Sequence, residues 1–266
     1  MPSYAVIGAS RGLGFEWLRQ LSSVAGNTVV GSVRDVRGTQ EKLKAANITN
    51  VTLLSAEMKD YKSLNAMAAE AAKVLPNGLD YLIVNGAYQP QESFPLPPTA
   101  FIGKEDLLRD DMLESLEVNV LGPMYSINAF LPLLRKSSIK KIIVISTGMA
   151  DPDPVVPSGA AFGVPYASIK AALNMVVAKY AAELQPEGIT VLALSPGLVN
   201  TAEKAPTPEG MAMYGAMVQT FQTLYPKFQG PISPEESVTM QAKVIEKLGM
   251  AETGQFLSHY GNKQWL

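Results

Sequence analysis

Tyr4-Ala5-Val6-Ile7-Gly8-Ala9-Ser10-Arg11-Gly12-Leu13-Gly14-Phe15 is the stretch from which the rest of the chain is read. An apolar run ends in a cluster of glycines, after which Phe15, Leu18 and Leu21 recur at helical spacing. The pattern predicts strand, glycine turn, helix. The spacing is G-x-x-x-G-x-G rather than G-x-G-x-x-G, but the physics is shared. Glycines let backbone approach a pyrophosphate, and the helix N-terminus supplies free N–H groups and the positive end of its dipole. A glycine triplet elsewhere would mark only a tight turn. Between a first strand and a first helix it favours a nucleotide site, with Gly8, Ser10, Arg11, Gly12, Leu13 and Gly14 as candidates.

Further along, apolar strands are expected at Asn27–Val33, Val51–Ser55, Leu79–Val84, Lys140–Ser146 and Ile189–Leu194, with a last one near Gln255–Ser258. Helices alternate with them: about Asp60–Leu75, a long helical region at about Lys104–Leu134 broken at Gly122-Pro123, and Pro234–Leu248. The proline- and glycine-rich segment from Gly148 to Pro165 reads as a loop. The alternation predicts an α/β fold, a doubly wound and mostly parallel sheet with helices on both faces, in a single domain spanning 1–266. The candidate functional residues fall at carboxyl ends of strands, the edge where open α/β sheets bind ligands.

The second strand ends in Val33-Arg34-Asp35. An acidic residue there accepts the ribose hydroxyls of NAD, whereas arginine suits the extra phosphate of NADP. Arg34, with Arg11 converging from the glycine turn, predicts NADP(H); Asp35 keeps NAD(H) open, and both arginines could simply be solvated.

Composition narrows the chemistry. The chain has 266 residues, 47% hydrophobic and 17% charged, with a net charge of −2 and no basic block, so it lacks the electrostatic footprint of a nucleic-acid or anionic-membrane binder. It has no cysteine and one histidine, His259, which excludes disulfides, thiolate metal sites and multi-histidine metal centres. His259 reads as a surface or packing residue. No run of 18 apolar residues suggests a membrane span, and no basic leader precedes the first strand, so a cytoplasmic protein acting on a small molecule is expected.

Tyr166-Ala167-Ser168-Ile169-Lys170 heads the apolar-periodic run after the proline-rich loop. A spacing of four puts both side chains on one helix face, where the Lys170 ammonium would favour the Tyr166 phenolate and lower its pKa. A phenol tuned in this way can exchange a proton with an oxygen that becomes or ceases to be an alkoxide.

Together the glycine turn, Asn85 after the fourth strand, Asn119 in Val-Asn-Val-Leu-Gly-Pro, Tyr166-x-x-x-Lys170 and Pro196-Gly197-Leu198-Val199-x-Thr201 resemble the short-chain dehydrogenase/reductase family over essentially the whole chain. Val33-Arg34-Asp35 and the ending through Phe256-Leu257-Ser258 look most like its C-factor-like and sniffer-like carbonyl reductases. The resemblance implies about seven strands in the order 3-2-1-4-5-6-7 and a substrate-binding loop at about 200–230. It also implies assembly into a homodimer or homotetramer through the Asn119 and Tyr166 helices. Tyr166 would be the acid/base, Lys170 would hold the nicotinamide ribose and lower the Tyr166 pKa, and Asn119 would organise a proton-relaying water. Asn85, Gly86, Ala87, Pro196, Gly197, Val199 and Thr201 would join the cofactor site.

The chain departs from the family pattern in places. The serine that binds the substrate carbonyl is replaced by Thr147, after Ser146, so either hydroxyl could act. Glu57 stands where an aspartate normally positions the adenine. Asn85-Gly86-Ala87-Tyr88 replaces Asn-Asn-Ala-Gly, which could turn Tyr88 toward the pocket. Met149, Val155, Val156, Phe162 and Val164, with Phe94, Phe101, Met211, Met213, Tyr214, Met217, Phe221 and Tyr225, could wall an apolar pocket, cover core or pack an oligomer interface. The expected activity is reduction of a bulky, apolar ketone or aldehyde, reversibly oxidising an alcohol. A non-redox isomerase, dehydratase or cyclase retaining NADP, and a nucleotide-sensing binding protein, stay open.

Overall fold

The computed structural model describes residues 1–202 and 207–266. The apolar runs become β1 (Ser3–Ile7), β2 (Thr28–Val33), β3 (Val51–Ser55), β4 (Tyr81–Val84), β5 (Lys141–Ile145), β6 (Thr190–Ser195) and β7 (Phe256–Ser258). All neighbouring strands pair in parallel, in the order β3-β2-β1-β4-β5-β6-β7. Continuously apolar strands are what a sheet covered on both faces requires. Alternate residues of one strand feed opposite cores. Leu82 and Val84 join the cluster that contains Phe130 and Leu173, while Ile83 between them joins the cluster of Trp17 and Leu18.

The helices are α1 (Gly12–Ser23), α2 (Val36–Ala45), α3 (Tyr61–Val74), α4 (Glu105–Leu116), α5 (Gly122–Leu134), α6 (Val155–Ser158), α7 (Val164–Leu184), α8 (Pro208–Gln222) and α9 (Pro234–Lys247). Their starts follow local chemistry. Asp60 accepts from Lys62 N at the head of α3, and Ser233 and Glu236 form a reciprocal capping box on α9. Packing then selects the buried stripe: Phe130 of α5 and Leu173 of α7 are fully buried, and truncating either to alanine should cost on the order of 2–5 kcal/mol.

Two expectations need correction. Gly122-Pro123 does not break the helical region, because a π turn at Glu117–Leu121 joins α4 to α5 without a kinked gap. Gly122 N donates to Glu117 O across that wider turn, and Pro123, which has no N–H to give, sits in the first turn of α5. The segment after Thr147 is also more ordered than a plain loop, since it contains a short 3₁₀ turn at Gly148–Ala150 and α6. Among the described residues no helix is long and apolar enough to cross a membrane.

Candidate active site

Three chain segments meet at the glycine turn on the carboxyl edge of the sheet: the turn itself, the loop after β4 and the loop that carries Thr201. Gly8 has φ +81°, and a Cβ there would lie 2.5 Å from Gly86 Cα, so the loop after β4 presses directly on the turn after β1. Gly14 is required by contact rather than by dihedral, as its Cβ would fall 2.0 Å from Gly8 O. Gly12, at φ +54°, lies under Thr201, 3.3 Å from where its Cβ would be. Asn85 Nδ2 donates to Gly8 O at 3.0 Å and fixes the turn from the β4 side. No side chain caps the start of α1 among the described residues. Its first N–H groups therefore remain donors for an anion, in a cradle that side chains larger than hydrogen would fill.

At the end of β2 the candidate residues separate. Asp35 is the N-cap of α2, its Oδ1 accepting from Gly38 N at 3.0 Å, so that carboxylate serves the helix. The Arg34 side chain is 76% exposed and its Nη1 lies 3.9 Å from Glu57 Oε2, a solvated pairing worth little to stability. Sequence reasoning missed Lys42, whose Nζ is 3.5 Å from the Ser10 carbonyl and which adds a third cation around the turn. Its position about two turns into α2 from the capped start was the available signal.

Asn119 is fully buried in the π turn, and both ends of its amide engage one residue. Tyr88 N donates to Asn119 Oδ1 at 2.8 Å, and Asn119 Nδ2 donates to Tyr88 O at 2.8 Å. The side chain thus clamps the loop after β4. Tyr88, which could have turned toward the pocket, does not: its hydroxyl donates to Asp111 Oδ1 on α4 at 3.4 Å, and it is absent from the described cavity lining. The π turn brings Asn119 within reach of the Tyr88 backbone, and the ring leaves on the other side.

At the end of β5 the two hydroxyls part. Ser146 is buried and its Oγ donates to Asn174 Oδ1 of α7 at 2.6 Å. Thr147 lines a cavity of about 510 Å³; its Oγ1 accepts from Met149 N at 3.3 Å, which leaves the hydroxyl proton to donate.

Tyr166 and Lys170 share one face of α7, with Lys170 Nζ 6.0 Å from the Tyr166 ring centroid. Lys170 is 1% exposed and donates to the Ile145 carbonyl at 2.9 Å. Burial pushes its pKa down to about 7 and pushes the Tyr166 phenol up to about 12. The expected lowering of the phenol is therefore reversed in the chain by itself. Burial penalises the phenolate, and an amine that loses its own charge near neutrality offsets little of that penalty.

The cavity wall answers the apolar-pocket question in part. Met149, Val155, Phe162, Val164, Phe221 and Tyr225 line it. Phe94 and Phe101 are instead buried, and Val156 is 87% exposed. Phe94 contacts both Tyr166 and Phe162, with ring centroids at 6.4 and 5.8 Å, which connects the phenol to the cavity wall. Part of the expected substrate loop, 203–206, lies outside the described residues. Trp265 and Leu266 also line the cavity, and no spacing in the sequence marked them.

His259 proves to be a packing residue. It is 3% exposed, its ring lies tilted against Tyr260 with centroids 4.1 Å apart, and a Cβ on Gly197 (φ +82°) would lie 2.7 Å from its Cε1. Burial lowers its pKa to about 4. With Ser237 Oγ donating to Pro196 O at 2.7 Å, it sets the path of the loop from Pro196 to Thr201 back across Gly12.

Residues 3–212 match a family model described as short chain dehydrogenase. The chain belongs to the short-chain dehydrogenase/reductase family. This family member is 39% identical to the short chain dehydrogenase virK of Hypocrea virens and 42% identical to the short-chain dehydrogenase/reductase AacuF of Aspergillus aculeatus, in each case over 100% of both chains. Among solved structures it resembles the NADPH-bound carbonyl reductase from chicken fatty liver, with a TM-score of 0.78 and 25% identity over 98% of this chain and 93% of that one. The carbonyl reductase Sniffer of D. melanogaster shares the fold at a TM-score of 0.77, with 21% identity over 98% of each chain. The sniffer-like resemblance drawn from the strand ends agrees with both.

Proposed function

We propose that this short-chain dehydrogenase/reductase is an NADP(H)-dependent reductase of a bulky, apolar ketone or aldehyde, with Tyr166 as its acid/base. The observation that carries the reading is the pairing of Tyr166 with buried Lys170 on α7; neither is among the residues that line the cavity, but Val164 and Ala167, on either side of Tyr166, line it together with Thr147. Support for NADP rather than NAD comes from the strand end, where Asp35 is committed to capping α2 while Arg34 stands exposed beside Glu57 and Lys42 reaches the Ser10 carbonyl of the glycine turn. The carbonyl reductase of chicken liver, which is similar in structure, was crystallised with NADPH.

NADPH, when bound, supplies the hydride. The α1 N-terminus and the Gly8–Gly14 backbone would bind its pyrophosphate, Arg34 would hold the extra phosphate, and Glu57 would serve the adenine end. The loop of Pro196, Gly197, Val199 and Thr201 closes over Gly12, and Asn85, Gly86 and Ala87 line the opposite side. Thr147 donates a hydrogen bond to the substrate oxygen, because its proton is uncommitted while that of Ser146 goes to Asn174. Tyr166, protonated across the neutral range at a pKa of about 12, gives its proton to that oxygen as charge develops. Lys170, held by Ile145 O, accepts or returns a proton near neutrality and restores the phenol. Asn119 acts on this assembly by clamping the Tyr88 loop, and a relay through an ordered water beside it fits the same role.

The part of the expected substrate loop that holds Phe221, Leu224 and Tyr225 covers the substrate, since those residues line the cavity. Assembly into a homodimer or homotetramer through α4 and α7 is supported by Leu113 and Met175, which are 52% and 61% exposed on those helices. Light scattering after size exclusion reads that mass.

The deciding experiment follows NADPH consumption by purified protein against bulky ketones, aldehydes and quinones, with products identified by mass. Oxidation matched by a gain of two hydrogens in the product supports the reading. Tight nucleotide binding without reduction of any carbonyl overturns it.

A further inference from the structure

The direction of the Thr147 hydroxyl is set by the turn that follows it, and that turn is tied to the rest of the fold at several points. Thr147 caps the 3₁₀ turn at Gly148–Ala150, and Met149 N in that turn donates to Thr147 Oγ1 at 3.3 Å, the bond that leaves the hydroxyl proton to donate. Gly148 N donates to Ser195 Oγ at 2.9 Å, which ties the turn to the end of β6. Trp265 supplies the next two ties. A Cβ on Gly148 would lie 2.6 Å from Trp265 Cβ, so the turn is glycine where the Trp265 side chain comes down. The Trp265 Nε1–H donates to Asp151 Oδ2 at 2.8 Å, and Asp151 N donates to Gly148 O at 3.1 Å, which closes the turn. The indole is itself fixed, being 4% exposed and stacked on Phe256 of β7 with ring centroids 4.3 Å apart. Contacts therefore run without a gap from β7 through Trp265 and the turn to Thr147 Oγ1.

Resting on the reductase reading, we propose that Trp265 is a positioning residue for Thr147: through Asp151 and Gly148 it locks the 3₁₀ turn whose Met149 N–H aims the Thr147 hydroxyl at the substrate oxygen. A fixed donor meets developing charge without reorganisation, whereas a donor on a loosened turn must be ordered again in each turnover. Loss of the lock therefore lowers kcat more than it raises KM, because the contact strengthens as the oxyanion forms. A purely structural role for Trp265 would instead lower stability and act on kcat independently of Thr147.

The test is a double-mutant cycle on NADPH-loaded protein, with the ketone, aldehyde or quinone of the panel above that the wild type reduces fastest. Trp265→Phe, which keeps a ring on Phe256 and removes the N–H, should lower kcat roughly tenfold while KM moves by less than about twofold. In the Thr147→Val background the same change should alter kcat by less than about twofold, because the hydroxyl it positions is gone. Additive losses, or an unchanged kcat in the single variant, overturn the proposal. Hydrogen exchange at the amides of residues 148–151 reads the turn without turnover and should speed up roughly tenfold in Trp265→Phe. Asp151→Ala breaks the same bond from its other end and should give the same acceleration if Trp265→Phe fails to fold. Exchange at the wild-type rate in the folded variant overturns the lock. If the wild type reduces no carbonyl of the panel, the reductase reading falls and hydrogen exchange alone decides the role of Trp265.

Discussion

Ser146 Oγ donates to Asn174 Oδ1 at 2.6 Å while the adjacent Thr147 faces the cavity, so two neighbouring hydroxyls at the end of β5 have different employments. If Thr147 stabilises the developing oxyanion, Thr147→Val should lower kcat by roughly 10²–10³. Ser146→Ala should cost less than about tenfold, because it disturbs only the tie to α7. Steady-state kinetics on both variants decides the matter, and the reverse ranking would reassign the carbonyl contact to Ser146.

Tyr166→Phe removes the proton donor and keeps the ring that packs against Phe94. Turnover should fall by roughly 10²–10⁴, the usual worth of a positioned general acid, while NADPH still binds. Fluorescence titration of the nucleotide alongside the rate assay separates the two effects. Retained turnover would remove Tyr166 from the proton path.

Lys170 is held at a pKa of about 7 against an ordinary 10.5, so between these values the unfolded chain binds the extra proton and the folded chain does not. Stability should therefore rise with pH from about 7 toward 10 and carry the full burial penalty below 7. Thermal melting of Lys170→Met should lose this slope, with about 2–4 °C of Tm for each kcal/mol of the wild-type change. An identical slope in the variant would mean that another group titrates.

Arg34→Ala should weaken NADPH by roughly 10–100-fold, the worth of a charge-assisted bond to phosphate, and leave NADH nearly unchanged. Asp35→Ala should instead cost about 1 kcal/mol of stability through the lost α2 cap and preserve the preference for NADPH. Binding constants for both nucleotides on both variants, with denaturant melts, check the assignment. A shift in preference from Asp35→Ala alone would return the ribose to that carboxylate.

Gly14→Ala would put a Cβ 2.0 Å from Gly8 O. The backbone must open to accept it, so a loss of at least about 1–3 kcal/mol in stability is expected, together with nucleotide binding. A variant that melts and binds like the wild type would show that the β1 turn has room the contact denies.

Much of the site was legible because its chemistry is local. A glycine turn between a strand and a helix, and a Tyr–Lys pair four residues apart, read from spacing alone, since helical and strand periods convert sequence distance into direction. The Gly122-Pro123 break misread for the opposite reason. Proline normally ends a helix, and only the π turn before it, stabilised by the packing of Gly122 on Met58, let the helix run through. Trp265 was invisible as a cavity-wall residue, since its place is fixed by a partner at Asp151, more than a hundred residues away in the chain.

The sequence by itself determined the alternating α/β order, the apolar strands, and which residue types stand at each strand end, because short-range periodicity and turn chemistry act within a few residues. Only the tertiary structure decided which of those groups are committed elsewhere. Asp35 is spent on a cap, Ser146 on Asn174 and both ends of the Asn119 amide on Tyr88. It also decided the direction of the Tyr166 and Lys170 shifts, because desolvation depends on everything packed around a group, a sum over the whole fold that no local spacing contains.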